Sequence, residues 1–279
     1  MTVLGAIALP QLPPERLRGL VEDADAAGLE ELWLWEDCFL TGGVATASAA
    51  LAWSRRLRVG VGLLPVPLRN VALTAMELAT LHRLFPGRAI IGVGHGVQDW
   101  MGQVGVRVPS PMTLLREHVT ALRSLLGGER VTVDGRFVHL DGVALDWPPP
   151  SPAPILIGAS GPKTLRLAGE IGDGTILTAG TTPEQVRAAR EVIGDGRLVV
   201  YLHTATGPDA DERVEGERVR WGYPSAVDRA ATGDAAAIAE QVRRWAEAGA
   251  DTVVLQPTPD DPDPEGFVRF AAREVRPLL

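Results

Sequence analysis

Four short segments concentrate the side chains able to do acid–base or redox-supporting chemistry. The first is Trp33-Leu-Trp35-Glu36-Asp37-Cys38-Phe39, two carboxylates and a thiol set among aromatics. Adjacent carboxylates can pass a proton or orient a polar substrate group, and they can equally cap a loop. Cys38, the chain's one cysteine, fits a small buried residue better than a nucleophile. The second segment, Gly60-Val-Gly62-Leu63-Leu64-Pro65, withholds side chains where a planar ring could approach the backbone, with tight strand packing as the competing reading. The third, Gly92-Val-Gly94-His95-Gly96-Val-Gln98-Asp99-Trp100, joins a flexible backbone to an imidazole, a carboxylate and an indole. It lacks the third glycine opening a helix that a dinucleotide fingerprint requires, so His95 is its acid–base or ring-contact candidate. The fourth, Gly158-Ala159-Ser160-Gly161-Pro162-Lys163-Thr164, turns into a helix, where free N–H groups, the Ser160 hydroxyl and the only lysine in the chain could hold a phosphate. Ser160 could instead serve as a simple N-cap.

The elements that must position these segments alternate regularly. Aliphatic, β-branched runs predict strands at Val3–Leu9, Glu31–Glu36, Arg58–Leu63, Ala89–Gly94, Ile155–Ala159, Thr175–Thr178, Leu198–Thr204 and Thr252–Gln256. Helical periodicity with Pro, Thr or Asp starts predicts helices at Pro14–Ala27, Val44–Trp53, Val71–Leu84, Pro111–Leu126, Pro162–Ile171, Pro183–Ile193, Asp234–Ala248 and Pro264–Val275. Eight such pairs predict an α/β chain folded as a (β/α)8 TIM barrel, one domain over residues 1–279. A doubly wound open sheet is the alternative, but the alternation runs to the C-terminus without a change of composition. Val131–Leu140 reads as a small β-hairpin on an Asp134-Gly135 turn, inserted between helix four and strand five. In a parallel barrel functional groups gather at the C-terminal strand ends, so all four segments are expected at one mouth.

With 279 residues, 46% apolar and 22% charged, the chain can bury a sizeable core and is not expected to be disordered. Its net charge of −8 argues against nucleic acid or an anionic membrane as partner. A single cysteine suits a reducing cytoplasm. The opening residues lack a basic start before Pro10, and the uncharged stretch Thr41–Ser54 is too short to span a bilayer, so no membrane segment is expected. His82, His118, His139 and His203 have neither metal-ligand spacing nor a neighbouring acid cluster and read as structural or surface residues; no metal centre is expected. A nucleophile elbow, a Walker loop and an aromatic-basic RNA surface are absent from the sequence.

Together Trp33–Phe39, Val59–Asn70, Phe85-Pro-Gly-Arg88 leading to Gly92–Gly96, and Ile155–Gly174 resemble the luciferase-like flavin and deazaflavin oxidoreductases, in particular their coenzyme F420-dependent branch. The resemblance implies a (β/α)8 barrel, commonly a homodimer, with the cofactor ring at the C-terminal mouth and its phosphate near the loop after strand five. It implies F420, with FMN as the alternative, held by Gly62, Leu63, Gly94, His95, Gly96, Ala159, Ser160, Gly161 and Lys163. A non-proline cis peptide is expected at Gly62-Leu63. Asp37 matches an acid at the strand-two rim, whereas Cys38 stands where several relatives carry a histidine and Val97 where some carry a carboxylate. Proton handling then falls to Asp37, Glu36 or His95, with Trp35, Cys38 and Trp100 toward the substrate and Trp33 also near the mouth. The implied activity is hydride transfer between the deazaflavin and a small organic substrate. An FMN-dependent monooxygenase and a non-catalytic flavin- or deazaflavin-binding barrel are the alternatives.

Overall fold

The computed structural model describes residues 2–224 and 228–279. Eight parallel strands close into a barrel: β1 (Val3–Ile7), β2 (Glu31–Leu34), β3 (Arg58–Pro65), β4 (Ala89–Gly94), β7 (Ile155–Gly158), β8 (Gly174–Leu177), β9 (Arg197–Ala205) and β11 (Thr252–Gln256). Closure comes from β11 beside β1 and β8 beside β9, so this is the expected (β/α)8 barrel and not an open sheet. Between β4 and β7, β5 (Val131–Asp134) and β6 (His139–Val143) form the expected antiparallel hairpin. Its connection is not a two-residue Asp-Gly turn. It is a four-residue loop in which Gly135 N–H donates to Val138 O at 2.9 Å. The Glu117 carboxylate accepts from the N–H groups of Arg136, Phe137 and Val138 at 2.9, 2.8 and 3.1 Å, satisfying donors that a tight turn would not have left open.

The helices α1 (Pro14–Ala27), α2 (Gly43–Trp53), α3 (Val71–Leu84), α5 (Pro111–Leu126), α6 (Pro162–Ile171), α7 (Pro183–Ile193), α9 (Ala235–Glu247) and α10 (Pro264–Phe270) surround the barrel. The predicted last helix continues past Phe270 as a π-helical stretch over Ala271–Val275. Among the elements not foreseen are α4 (Gln98–Gln103), α8 (Ala210–Trp221) and the short strand β10 (Ala230–Thr232). β10 runs beside His203–Ala205 of β9, above the Arg197–Val200 stretch that pairs with β8. The nine-residue β9 therefore reaches the mouth with a partner on each side.

Strand alternation divides the core in two. On β9, Leu198, Val200 and Leu202 face the helices, while Val199 and Tyr201 join Ile7, Trp33, Ile90, Leu156, Ile176 and Val254 inside the barrel. At the bottom of this interior Glu31, fully buried, pairs with Arg58 at 3.0 Å and Arg197 at 2.5 Å and accepts from Trp33 Nε1 at 3.0 Å. Each interior ladder then climbs two residues at a time toward the mouth.

Candidate active site

A cavity of about 310 Å³ opens at the C-terminal ends of the strands. Leu63, Ile176 and Tyr201 contribute its apolar lower wall, and Trp35 stacks on Tyr201 with ring centroids 6.1 Å apart. The glycines explain how these side chains fit. A Cβ on Gly158 or Gly94 would stand 2.1 or 2.6 Å from Leu63 Cδ2, and one on Gly92 would stand 2.4 Å from Ile176 Cδ1. Gly60 makes the same room for the Trp33 indole, at 2.4 Å, so tight packing accounts for this glycine rather than ligand approach. Trp33 is accordingly wholly buried beneath the cavity, not at its mouth. Gly62 does line the cavity; Tyr201 donates to its carbonyl at 3.3 Å, and the Gly62–Leu63 peptide is cis as expected. The Cys38–Phe39 peptide is cis as well.

The two carboxylates after β2 have different surroundings. Glu36 accepts from Gly43 N–H at 2.7 Å, at the start of α2, and pairs with Arg69, which also reaches Glu77 at 3.4 Å. Its charge is committed to joining α2 and α3 below the mouth. Asp37 lines the cavity and its carboxylate forms no ion pair or hydrogen bond among the described residues. Burial pushes its carboxyl above the usual carboxylate range, opposed by the charge of Arg220. Cys38 is not part of the lining; burial and the neighbouring charges of Glu36 and Asp37 push its thiol up, away from the thiolate form.

After β4, His95 Nδ1 donates to Gly96 O at 2.9 Å, which leaves Nε2 as the ring nitrogen able to meet a ligand. His95, Gly96, Val97 and, from α4, Trp100 line the cavity, and Gly96 adopts a φ of 68° that lets the chain turn sharply away from the strand. Gly94 does not line it; its missing side chain houses Leu63 instead. After β7, Ala159 and Ser160 reach the cavity, whereas Gly161 and Lys163 lie outside it. Ser160 does not cap α6, whose N-cap is Gly161 without a side-chain bond.

His203 and Gln256 were not singled out by sequence as site residues, and His203, expected to be structural or surface, is buried. They stand one inward step above Tyr201 and Val254, directly paired in register on β9 and β11, and both line the cavity. His203 is 3% exposed, and burial, with the charge of Arg220, pushes its imidazole down to about 4. Gln256 Nε2 donates to His203 Nδ1 at 3.3 Å, and His203 Nε2 has no partner. Thr178 stands above Ile176 by the same rule, and α8 and the segment after it add Trp221 and Tyr223. Buried Arg213 seats α8 by bonds to Thr258 Oγ1 and Asp261 at 3.1 Å each. The signal that could have found His203 and Gln256 is strand alternation carried one step beyond the interior core.

Among the described residues no helix is long and apolar enough to cross a membrane, and no group of three or more His, Cys, Asp or Glu side chains is placed to hold a metal ion. The chain is 29% identical over 188 residues to a 5,10-methylenetetrahydromethanopterin reductase of Methanolobus tindarius, covering 67% of this chain and 57% of that enzyme. It is 30% identical over 241 residues to an F420-dependent glucose-6-phosphate dehydrogenase of Beutenbergia cavernae, covering 76% and 70%. It spans little more than half the length of several of the curated relatives it matches. An F420-dependent secondary alcohol dehydrogenase, solved with an F420-acetone adduct, shares the fold at a TM-score of 0.84 and 21% identity, over 100% of this chain and 98% of that one. With the family profile matched across residues 2–223 on this barrel, the chain belongs to the luciferase-like monooxygenase family.

Proposed function

We propose that the chain is an oxidoreductase that transfers a hydride between coenzyme F420 and a small organic substrate at the mouth of the barrel. The observation that carries this reading is the cavity, whose apolar lower wall of Leu63, Ile176 and Tyr201 is flanked by a partnerless carboxyl at Asp37. Its size and its mix of apolar surface with few polar groups are those of a cofactor site. The relatives named as F420-dependent enzymes support the choice of cofactor.

The residues present fit a planar, polar-edged ring. Trp35 Nε1–H is buried beside the Tyr201 hydroxyl but forms no hydrogen bond of good geometry, so a ring carbonyl could satisfy it. Gly62 and Leu63 would lie against the ring, with His95, Gly96, Ala159 and Ser160 at its edges, and Gly161 and Lys163, outside the cavity, would meet a phosphate-bearing tail. When bound, the deazaflavin supplies the carbon that gives or takes the hydride; the protein supplies orientation and proton management. Asp37 holds the exchangeable proton at its carboxyl oxygen, in surroundings that raise its affinity for that proton. His95 Nε2 is the ring nitrogen able to meet a ligand across the mouth, and Glu36 fixes the loop that carries Asp37.

Titration of the tryptophan fluorescence with F420 and with FMN in parallel tests the reading, because Trp35, Trp100 and Trp221 line the cavity. Micromolar quenching by F420 is expected. A preference for FMN would turn the function to oxygen chemistry, and no response to either would overturn it.

A further inference from the structure

We infer that His203, held by Gln256, positions the substrate and sets its class: Nε2–H donates a hydrogen bond to the oxygen of an uncharged ketone or secondary alcohol. The inference rests on the hydride-transfer reading and adds to it a residue and a substrate class. Its basis is a buried ring nitrogen without a partner among the described residues, on a side chain that lines the cavity. Because Gln256 donates to Nδ1, that nitrogen must accept, and the neutral ring carries its proton on Nε2. A buried N–H with no protein acceptor is satisfied by an oxygen brought within hydrogen-bond distance of it.

The charge of the lining selects the kind of oxygen. It contains the carboxylates of Glu36 and Asp37 and, among the described residues, no lysine or arginine. Arg220 lies outside the lining and pairs with Glu217 at 3.4 Å. A phosphate or carboxylate would give up water there with no cation in the lining to replace it, whereas Trp35, Trp100, Trp221 and Tyr223 suit an apolar body. In the reducing direction bound, reduced F420 would supply the hydride to the carbonyl carbon as the C=O π bond breaks, and the oxygen would take the Asp37 proton. His203 keeps its own proton and polarises the carbonyl.

The test uses protein with ¹⁵N-labelled histidine, the His203 signals being identified by their loss in His203→Gln. The free protein is expected to show His203 neutral at pH 7 with its proton on Nε2; a proton on Nδ1, or a charged ring, overturns the inference. F420-loaded protein is then titrated with acetone, cyclohexanone and acetophenone, and separately with glucose 6-phosphate. At least one ketone is expected to shift His203 Nε2 and to bind at least ten-fold more weakly to His203→Phe. No shift with any ketone, equal binding to His203→Phe, or tighter binding of glucose 6-phosphate overturns it. Failure of F420 to bind while the Nε2–H tautomer is intact overturns the hydride-transfer reading, and the ketone assignment falls with it.

Discussion

Two arcs of the cavity mouth each bury a titratable group, and burial drives both toward neutrality, Asp37 upward and His203 downward. They differ in what supports them. The arc after β2 is a loop whose neighbouring carboxylate, Glu36, is tied to Gly43 and Arg69. The arc at β9 and β11 is strand, with Gln256 as partner and the alternation of a core beneath it. The loop arc thus sets its reactive group by hydrogen bonds from outside the barrel, and the strand arc by packing from within.

The largest effect expected is on the loop arc. Glu36→Ala leaves Arg69, only 15% exposed, short of one carboxylate and Gly43 N–H without an acceptor, so urea unfolding should show a loss of about 3 kcal/mol or more. A loss below 1 kcal/mol would break the contrast between the arcs. The strand arc predicts a pH dependence. His203 titrates near 6.5 when unfolded and about 4 when folded, so the unfolded chain binds the extra proton between those values. Its contribution is fully present above pH 6.5 and is lost as pH falls toward 4, on the order of 3 kcal/mol. His118, pushed to about 4 as well, behaves alike, so His203→Gln should remove about one proton from the pH slope of stability and leave the other. An unchanged slope would place His203 in water.

Gly60→Ala probes the layer on which both arcs rest. Its Cβ would stand 2.4 Å from the buried Trp33 ring, and overpacking of that kind should cost about 2 kcal/mol in thermal unfolding. Asp37→Asn should have the smallest effect. A carboxyl raised by burial costs the fold stability once ionised, so the amide should leave stability equal or higher at pH 7, by under about 1 kcal/mol. If it also abolishes F420-linked turnover while F420 still quenches tryptophan fluorescence, the proton role of Asp37 is sharpened; full activity would remove it.

Much of this molecule could be read from residue order. Periodicity of 2 and 3.6, punctuated by Pro and Gly, is local information, so β4 at Ala89–Gly94, β11 at Thr252–Gln256, α1 and α5 fall where the pattern puts them. The barrel follows from repetition of those pairs, and the reactive types clustered in loops after β2, β4 and β7 mark most of the mouth. α8 escaped because ADERVEGERVRW is dominated by charge, and its stability comes from Arg213 reaching Thr258 and Asp261 some 45 residues away. Only the closed barrel decides that Glu36 is bound and Asp37 is not, because Arg69 arrives from a distant loop. Only closure places His203 beside Gln256, because burial, register and a missing hydrogen-bond partner are properties of strands 53 residues apart in the chain, and no local pattern encodes them.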